Sequence, residues 1–74
     1  MEQKITATFG DSSLLLRADF DPLMDALTVY FRQGGIYTYV NVAREVFDEF
    51  KKADSAGKYF VRNIRDEYEF HKHA

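Results

Sequence analysis

The chain has 74 residues, enough for one domain that buries about 60% of the surface its unfolded form exposes. Its hydrophobic content of 46% and charged content of 30% indicate an ordinary folded domain, and a net charge of −2 argues against a generally basic coat for nucleic acid. The sequence has no cysteine, which excludes disulfides, thiolate metal sites and thiol nucleophiles.

Two strands are predicted first. "QKITATF", residues 3–9, alternates with Ile5, Ala7 and Phe9 on one face, which is typical of a strand over 2–10. Gly10-Asp11 turns the chain into a second strand, "SSLLLRADF", which ends at Asp21-Pro22. The inward side chains of this second strand are predicted to be Leu14, Leu16, Ala18 and Phe20.

Two more strands, "ALTVYFR" and "IYTYV", flank the turn Gln33-Gly34-Gly35. The number of residues in this loop decides which face the tyrosines occupy, because a slip of one residue exchanges the two faces. An even loop places Tyr30 and Arg32 with Tyr37 and Tyr39, opposite an apolar face. An odd loop places Tyr37 and Tyr39 among the aliphatic side chains. We favour the even loop, since it gathers the apolar side chains of both strands on one face, together with Thr38.

Two helices are predicted after the strands. The first begins at an Asn41 N-cap and continues to about Ala53, with Phe47 and Phe50 on its apolar side. Asp54 to Gly57 ends it. "KYFVRNIRDEYEF", residues 58–70, has the spacing of a second helix, and residues 71–74 are predicted to be a frayed tail.

Because strands and helices are segregated along the chain, the predicted class is α+β. We expect a small antiparallel sheet of three or four strands, followed by two helices packed on one face. Residues 1–74 are predicted to form a single domain, in which residues 2–10 add an N-terminal strand.

Several motifs in this order resemble the KTSC domain family. They are Ser12-Ser13, the "FDP" of Phe20 to Pro22, "LTVYFRQGGIYTYVNV" with Phe31, Gly34 and Tyr37-Thr38-Tyr39, "FKKADSAGKYF" with Ala53, Ser55, Gly57 and Phe60, and finally Ile64-Arg65 and Tyr68. The resemblance covers about residues 12–70. Two positions depart from the family pattern: Val61 stands where Asn is frequent, and Ala43 where a proline is frequent near the helix start.

The KTSC family takes its name from the C-terminus of some lysyl-tRNA synthetases and also includes stand-alone bacterial and phage proteins. The resemblance therefore implies a small non-catalytic module that binds RNA. Tyr30, Tyr37 and Tyr39 could stack on bases, with Arg32 beside them on phosphate. A second basic group on one stripe of the second helix consists of Lys58, Arg62 and Arg65.

Each of these groups also has a structural interpretation, since tyrosines fill small cores and charged stripes are usually solvated. A different class of function, a protein-interaction module or phage-type inhibitor, would use a sheet edge or the acidic helix face. The acidic side chains of that face are Glu45, Asp48, Glu49 and Asp54.

Catalysis and metal binding have little support in the sequence. His71 and His73 lie at the terminus and cannot by themselves complete a tetrahedral metal site, so neither a metal nor a cofactor is expected. No histidine precedes them to serve as a base for a serine, and we expect no enzyme activity. The start Met1 to Lys4 leads into no apolar segment and Leu14 to Leu16 is too short to span a bilayer, so we expect a cytoplasmic protein.

Overall fold

The computed structural model describes residues 3–73 and confirms an α+β fold with an antiparallel sheet and two helices. The sheet has five strands, more than predicted, and each pairs with its neighbours in chain order. The strands are β1 (Ile5–Thr8), β2 (Leu15–Asp21), β3 (Ala26–Phe31), β4 (Ile36–Tyr39) and β5 (Phe70–Lys72). Helices α1 (Arg44–Lys52) and α2 (Ala56–Asn63) lie between β4 and β5 in sequence.

Both helices pack on the same face of the sheet through aromatic rings. In α1, Phe47 stacks on Phe20 of β2 with ring centroids 5.2 Å apart. In α2, Phe60 meets the ring of Phe31 of β3 edge-on at 5.4 Å. Phe20, Phe47 and Phe60 are buried, so these ring contacts form the centre of the core.

A β-bulge in β2 overturns the predicted inward side chains Leu14 and Leu16. Leu15 pairs with Phe31 but Arg17 pairs with Tyr30, so Leu16 is the extra residue. Leu15 is fully buried, whereas Leu14 and Leu16 are 38% and 47% exposed. Beyond the bulge the predicted alternation is correct, since Ala18 and Phe20 are buried.

The β3–β4 hairpin has an odd loop, so the favoured even register is wrong. Phe31 N–H donates to the Gly35 carbonyl at 3.1 Å, which leaves residues 32–34 as the loop. The positive φ of 92° at Gly34 and 101° at Gly35 closes it, a backbone region that glycine occupies without steric cost. Tyr37 then pairs with Val29 and Tyr39 with Leu27, which places both tyrosines on the helix-covered face.

Helix α1 begins later than predicted, because Asn41 does not cap it. Asn41 has a left-handed φ of 58°, and the N-cap position belongs to Ala43, which makes no side-chain cap hydrogen bond. Between them Val42 is buried, and its N–H donates to the Asp25 carbonyl at 2.9 Å. This link to the β2–β3 turn sets where α1 starts.

Helix α2 begins at Ala56, where the Ser55 hydroxyl accepts a hydrogen bond from the Lys58 N–H at 3.3 Å. It ends at Asn63, well before the predicted end at Phe70. Ile64 leaves the helical conformation with a φ of −122° and is fully buried. The sequence pattern had placed Ile64 within a continuous helix. Because its side chain is buried in the core, the chain turns back toward the sheet at this point.

The predicted frayed tail is also wrong for the part of it that the structure describes, residues 71–73; Ala74 lies outside the described residues. Phe70 to Lys72 form β5. Val40 N–H donates to the Glu69 carbonyl at 3.0 Å, and His73 N–H donates to the Ile36 carbonyl at 2.7 Å. Pairing with β5 satisfies backbone groups of β4 that would otherwise line an open edge.

Candidate functional site

A groove of about 730 Å³ runs across the end of the sheet between β4, β5 and α2. We call it the aromatic groove, because five aromatic side chains lie in its wall. These are Phe31, Tyr37, Tyr39, Phe60 and Phe70. Its other lining residues are Ser13, Leu14, Gln33, Gly34, Gly35, Val61, Arg65, Asp66 and Lys72. The described part of the chain thus brings apolar, cationic and anionic groups to one concave surface.

The two tyrosines of β4 contribute unequally to this groove. Tyr39 is only 2% exposed and lies against Phe60, with ring centroids 5.6 Å apart, so it belongs mainly to the core. The pKa of Tyr39 is raised mainly by burial, and the neighbouring Tyr37 adds to the effect. Tyr37 is half-buried and meets Phe31 edge-on at 5.3 Å. An outward-facing pair of tyrosines is therefore wrong, although one ring keeps an accessible flank.

Phe70 and Lys72 of β5 complete the wall. Neither belonged to the predicted site, because the residue pattern placed Phe70 in a helix and Lys72 in a frayed tail. Phe70 packs on Tyr37 and Tyr39 at 5.4 and 5.5 Å yet stays 49% exposed. The Lys72 ammonium lies 5.9 Å from the Tyr37 ring centroid. The alternation of Tyr68 and Phe70 with Glu69 and His71 was the available signal for a strand.

Only one member of the predicted basic stripe reaches the aromatic groove. Arg65 lines it, and its Nη2 lies 3.6 Å from Asp66 Oδ2. Lys58 and Arg62 are exposed on α2 but are not among the groove residues. The stripe is divided because α2 ends at Asn63, so Arg65 no longer continues the helical spacing.

Tyr30 and Arg32 do not share a face with the other tyrosines. Tyr30 lies on the opposite face of the sheet, where the Arg17 guanidinium stacks over its ring at 4.3 Å. Contact with Tyr30 and the charge of Asp19 raise the pKa of Arg17. The Arg32 side chain donates to the carbonyls of Ser12, Phe9 and Gly10, the latter two at 2.8 and 3.3 Å. Arg32 therefore ties the β1–β2 loop to the β3–β4 loop.

The acidic helix face is partly engaged in intramolecular contacts. Glu49 Oε1 accepts a hydrogen bond from the Tyr59 hydroxyl at 3.1 Å, and Asp48 pairs with Lys51 at 3.6 Å. Glu45 and Asp54 are exposed. The four carboxylates thus do not form a uniform free surface.

At the end of β5, His73 Nε2 lies 2.7 Å from the Thr38 hydroxyl. Within residues 3–73, no group of three or more histidine, aspartate or glutamate side chains is arranged to hold a metal ion. Neither helix in that range has the length and hydrophobicity needed to cross a membrane.

The five-stranded meander, the two helices on one face and the groove at its end define a small α+β domain with a concave aromatic surface. The KTSC domain model matches residues 11–68, more than half of the chain. The chain therefore belongs to the KTSC domain family, as the motifs indicated.

Two relatives extend this assignment. A protein of Tsukamurella paurometabola is 39% identical over 54 residues, which cover 73% of this chain and 79% of that protein. The crystal structure of a KTSC domain protein from Yersinia pestis superposes with a TM-score of 0.89 at 26% identity. That superposition covers 97% of this chain and all of the other, so it includes β5 as well as the matched family region.

Proposed function

We propose that this protein is a non-catalytic module that binds single-stranded nucleic acid, and RNA in particular, in the aromatic groove. The observation that carries the proposal is the position of Phe70, a half-exposed ring, in the same groove wall as Lys72 and Arg65. A strand of nucleic acid offers flat bases and charged phosphates side by side. In the groove, aromatic rings that can stack on bases lie beside cations that can contact phosphates.

Stacking would supply most of the affinity. A base stacked on an aromatic side chain contributes about 1–3 kcal/mol, and every base has a face that can stack. Phe70 is the most accessible ring of the groove, and the half-buried Tyr37 adjoins it at 5.4 Å. Duplex bases are not accessible in this way, so the groove favours single strands.

The two cations would contribute a modest electrostatic term. For single strands, the logarithm of the binding constant falls by about 0.7 per neutralised phosphate for each tenfold rise in salt. Contacts from Arg65 and Lys72 therefore predict a slope of about −1.4. With a net charge of −2 on the whole chain, binding should be measurable chiefly at low salt.

The test is fluorescence anisotropy of a labelled mixed-sequence octaribonucleotide at low salt. We expect Phe70→Ala to weaken binding at least tenfold, and Arg65→Ala with Lys72→Ala to flatten the salt slope. Arg17→Ala is a matched control, since it removes a cation from the opposite face of the sheet. If the wild-type protein binds no oligonucleotide at low salt, the proposal fails.

Lys58→Ala and Arg62→Ala test the predicted basic stripe separately. Both side chains are exposed and outside the groove. If either substitution weakens binding as much as Phe70→Ala does, the contact surface extends along α2 and away from the groove.

A protein-interaction module is the second candidate, favoured by three exposed apolar side chains in the same groove. They are Leu14, Val61 and Phe70. These side chains, with two cations beside them, would suit a peptide that carries apolar and acidic residues. This candidate predicts chemical-shift changes at Leu14 and Val61 with such a peptide, and no response to oligonucleotides.

A further inference from the structure

Asp66 is the one acidic side chain among the residues that line the aromatic groove. Its side chain is 76% exposed, and its Oδ2 lies 3.6 Å from Arg65 Nη2. At this distance the two groups attract each other, but an exposed pair is held only weakly and can separate to meet a ligand. The carboxylate is therefore available to whatever occupies the groove.

A carboxylate would repel the phosphates of a bound strand. In the proposed complex Arg65 and Lys72 contact phosphates, and Arg65 leaves its exposed pair with Asp66 to do so. The Asp66 carboxylate is then free to meet base edges. An ionised carboxylate can only accept hydrogen bonds, so it selects for bases that present N–H donors. The amide of Gln33 and the hydroxyl of Ser13 each donate and accept, and so discriminate far less.

We infer that Asp66 determines base specificity in the groove, an inference that rests on the proposed function. The preferred ligand is single-stranded RNA whose bases carry an exocyclic amino group. Cytosine and uracil give the clearest comparison, because their rings are equal in size. Cytosine presents its 4-amino group to a carboxylate, whereas uracil presents the O4 acceptor at the same position.

The experiment compares oligocytidylate and oligouridylate of eight nucleotides by anisotropy at low salt. We expect the wild-type protein to bind the cytosine strand about fivefold more tightly, the low end of the range for base-specific hydrogen bonds. Asp66→Asn replaces an acceptor by a group that also donates, so the ratio should fall close to one, mainly through tighter uracil binding. The substitution is at an exposed side chain and should leave the fold intact.

Glu67→Gln is the matched control. It removes the same negative charge at the next position, where the side chain is exposed and outside the groove lining. It should strengthen binding of both strands equally and keep the ratio unchanged.

The possible failures are distinguishable. If both strands bind but uracil binds as well as cytosine, the inference is overturned while the proposed function stands. The same follows if Asp66→Asn keeps the wild-type ratio, or if Glu67→Gln abolishes it. If neither strand binds at low salt, the proposed function falls and base specificity falls with it.

Discussion

At the scale of single residues, tyrosines of this chain occupy distinct environments. Tyr39 is sealed in the core, Tyr37 forms part of the groove wall, and Tyr30 lies beneath Arg17 on the other face of the sheet. Tyr59 stacks on Phe50 at 5.9 Å and donates its hydroxyl to Glu49. Composition alone cannot separate these roles, because each depends on which neighbour the fold supplies.

Tyr59 should make stability depend on alkaline pH. Burial, followed by the hydrogen bond to Glu49, raises its pKa to about 12. Because the folded-state pKa lies above the unfolded value of about 10, this contribution is fully present below pH ~10 and is lost as the pH rises toward 12. We expect the free energy of unfolding, measured in urea at several pH values, to decline less steeply in Tyr59→Phe over this range. Equal slopes for the two proteins would contradict the assignment, since the other tyrosines are common to both.

At the scale of elements, the bulge in β2 decides which leucine stabilises the sheet. The run Leu14 to Leu16 offers three equivalent side chains in sequence. Only Leu15 enters the core, because the extra residue at Leu16 shifts the alternation by one. Leu14 is thereby left at the aromatic groove.

A matched pair of substitutions tests this register. Leu15→Ala should reduce the free energy of unfolding by about 2–5 kcal/mol, as expected for a fully buried leucine. Leu16→Ala should cost less than about 1 kcal/mol, because this side chain is largely exposed. Urea unfolding followed by circular dichroism measures both. If Leu16→Ala is the more costly change, the predicted register without a bulge is the correct one.

The aromatic groove depends on the short strand β5. Its three residues are exposed and lie at the edge of the sheet, yet they supply both Phe70 and Lys72 to the groove. The groove is therefore incomplete without β5, and its closure depends on the pairing of β4 with residues near the end of the described chain.

At the scale of the whole molecule, one contiguous core joins the sheet and both helices. The buried cluster includes Phe9 from the β1–β2 turn, Phe20 from β2, Phe50 from α1 and Phe60 from α2. No element has a separate core within residues 3–73, so the sheet and the two helices should not unfold independently.

We expect a single cooperative transition with a stability of about 5 kcal/mol, near the lower end for domains of this size. Far-ultraviolet circular dichroism follows the backbone, and tyrosine fluorescence follows the groove and core. The two urea transitions should coincide. A fluorescence transition at lower urea would mean that packing around the tyrosines is lost before the backbone unfolds, and would contradict a single cooperative transition.

Much of the fold follows from the sequence alone. Alternation identified the first four strands, helical spacing identified α1, and the segregation of strands from helices indicated the α+β class. The KTSC motifs identified the family. The strand and helix assignments are local, because each depends on the side-chain period of one segment, and the class and family follow from the order of those segments and motifs along the chain.

The candidate site was decided only by tertiary structure. An odd hairpin loop places Tyr39 on the buried face of the sheet. Burial of Ile64 ends α2 early, and the residues that follow include β5, which pairs with β4. Local patterns cannot determine a loop register or the end of a helix when burial against distant residues sets them. The groove combines β3, β4, α2 and β5, so its position depends on contacts between segments far apart in the chain.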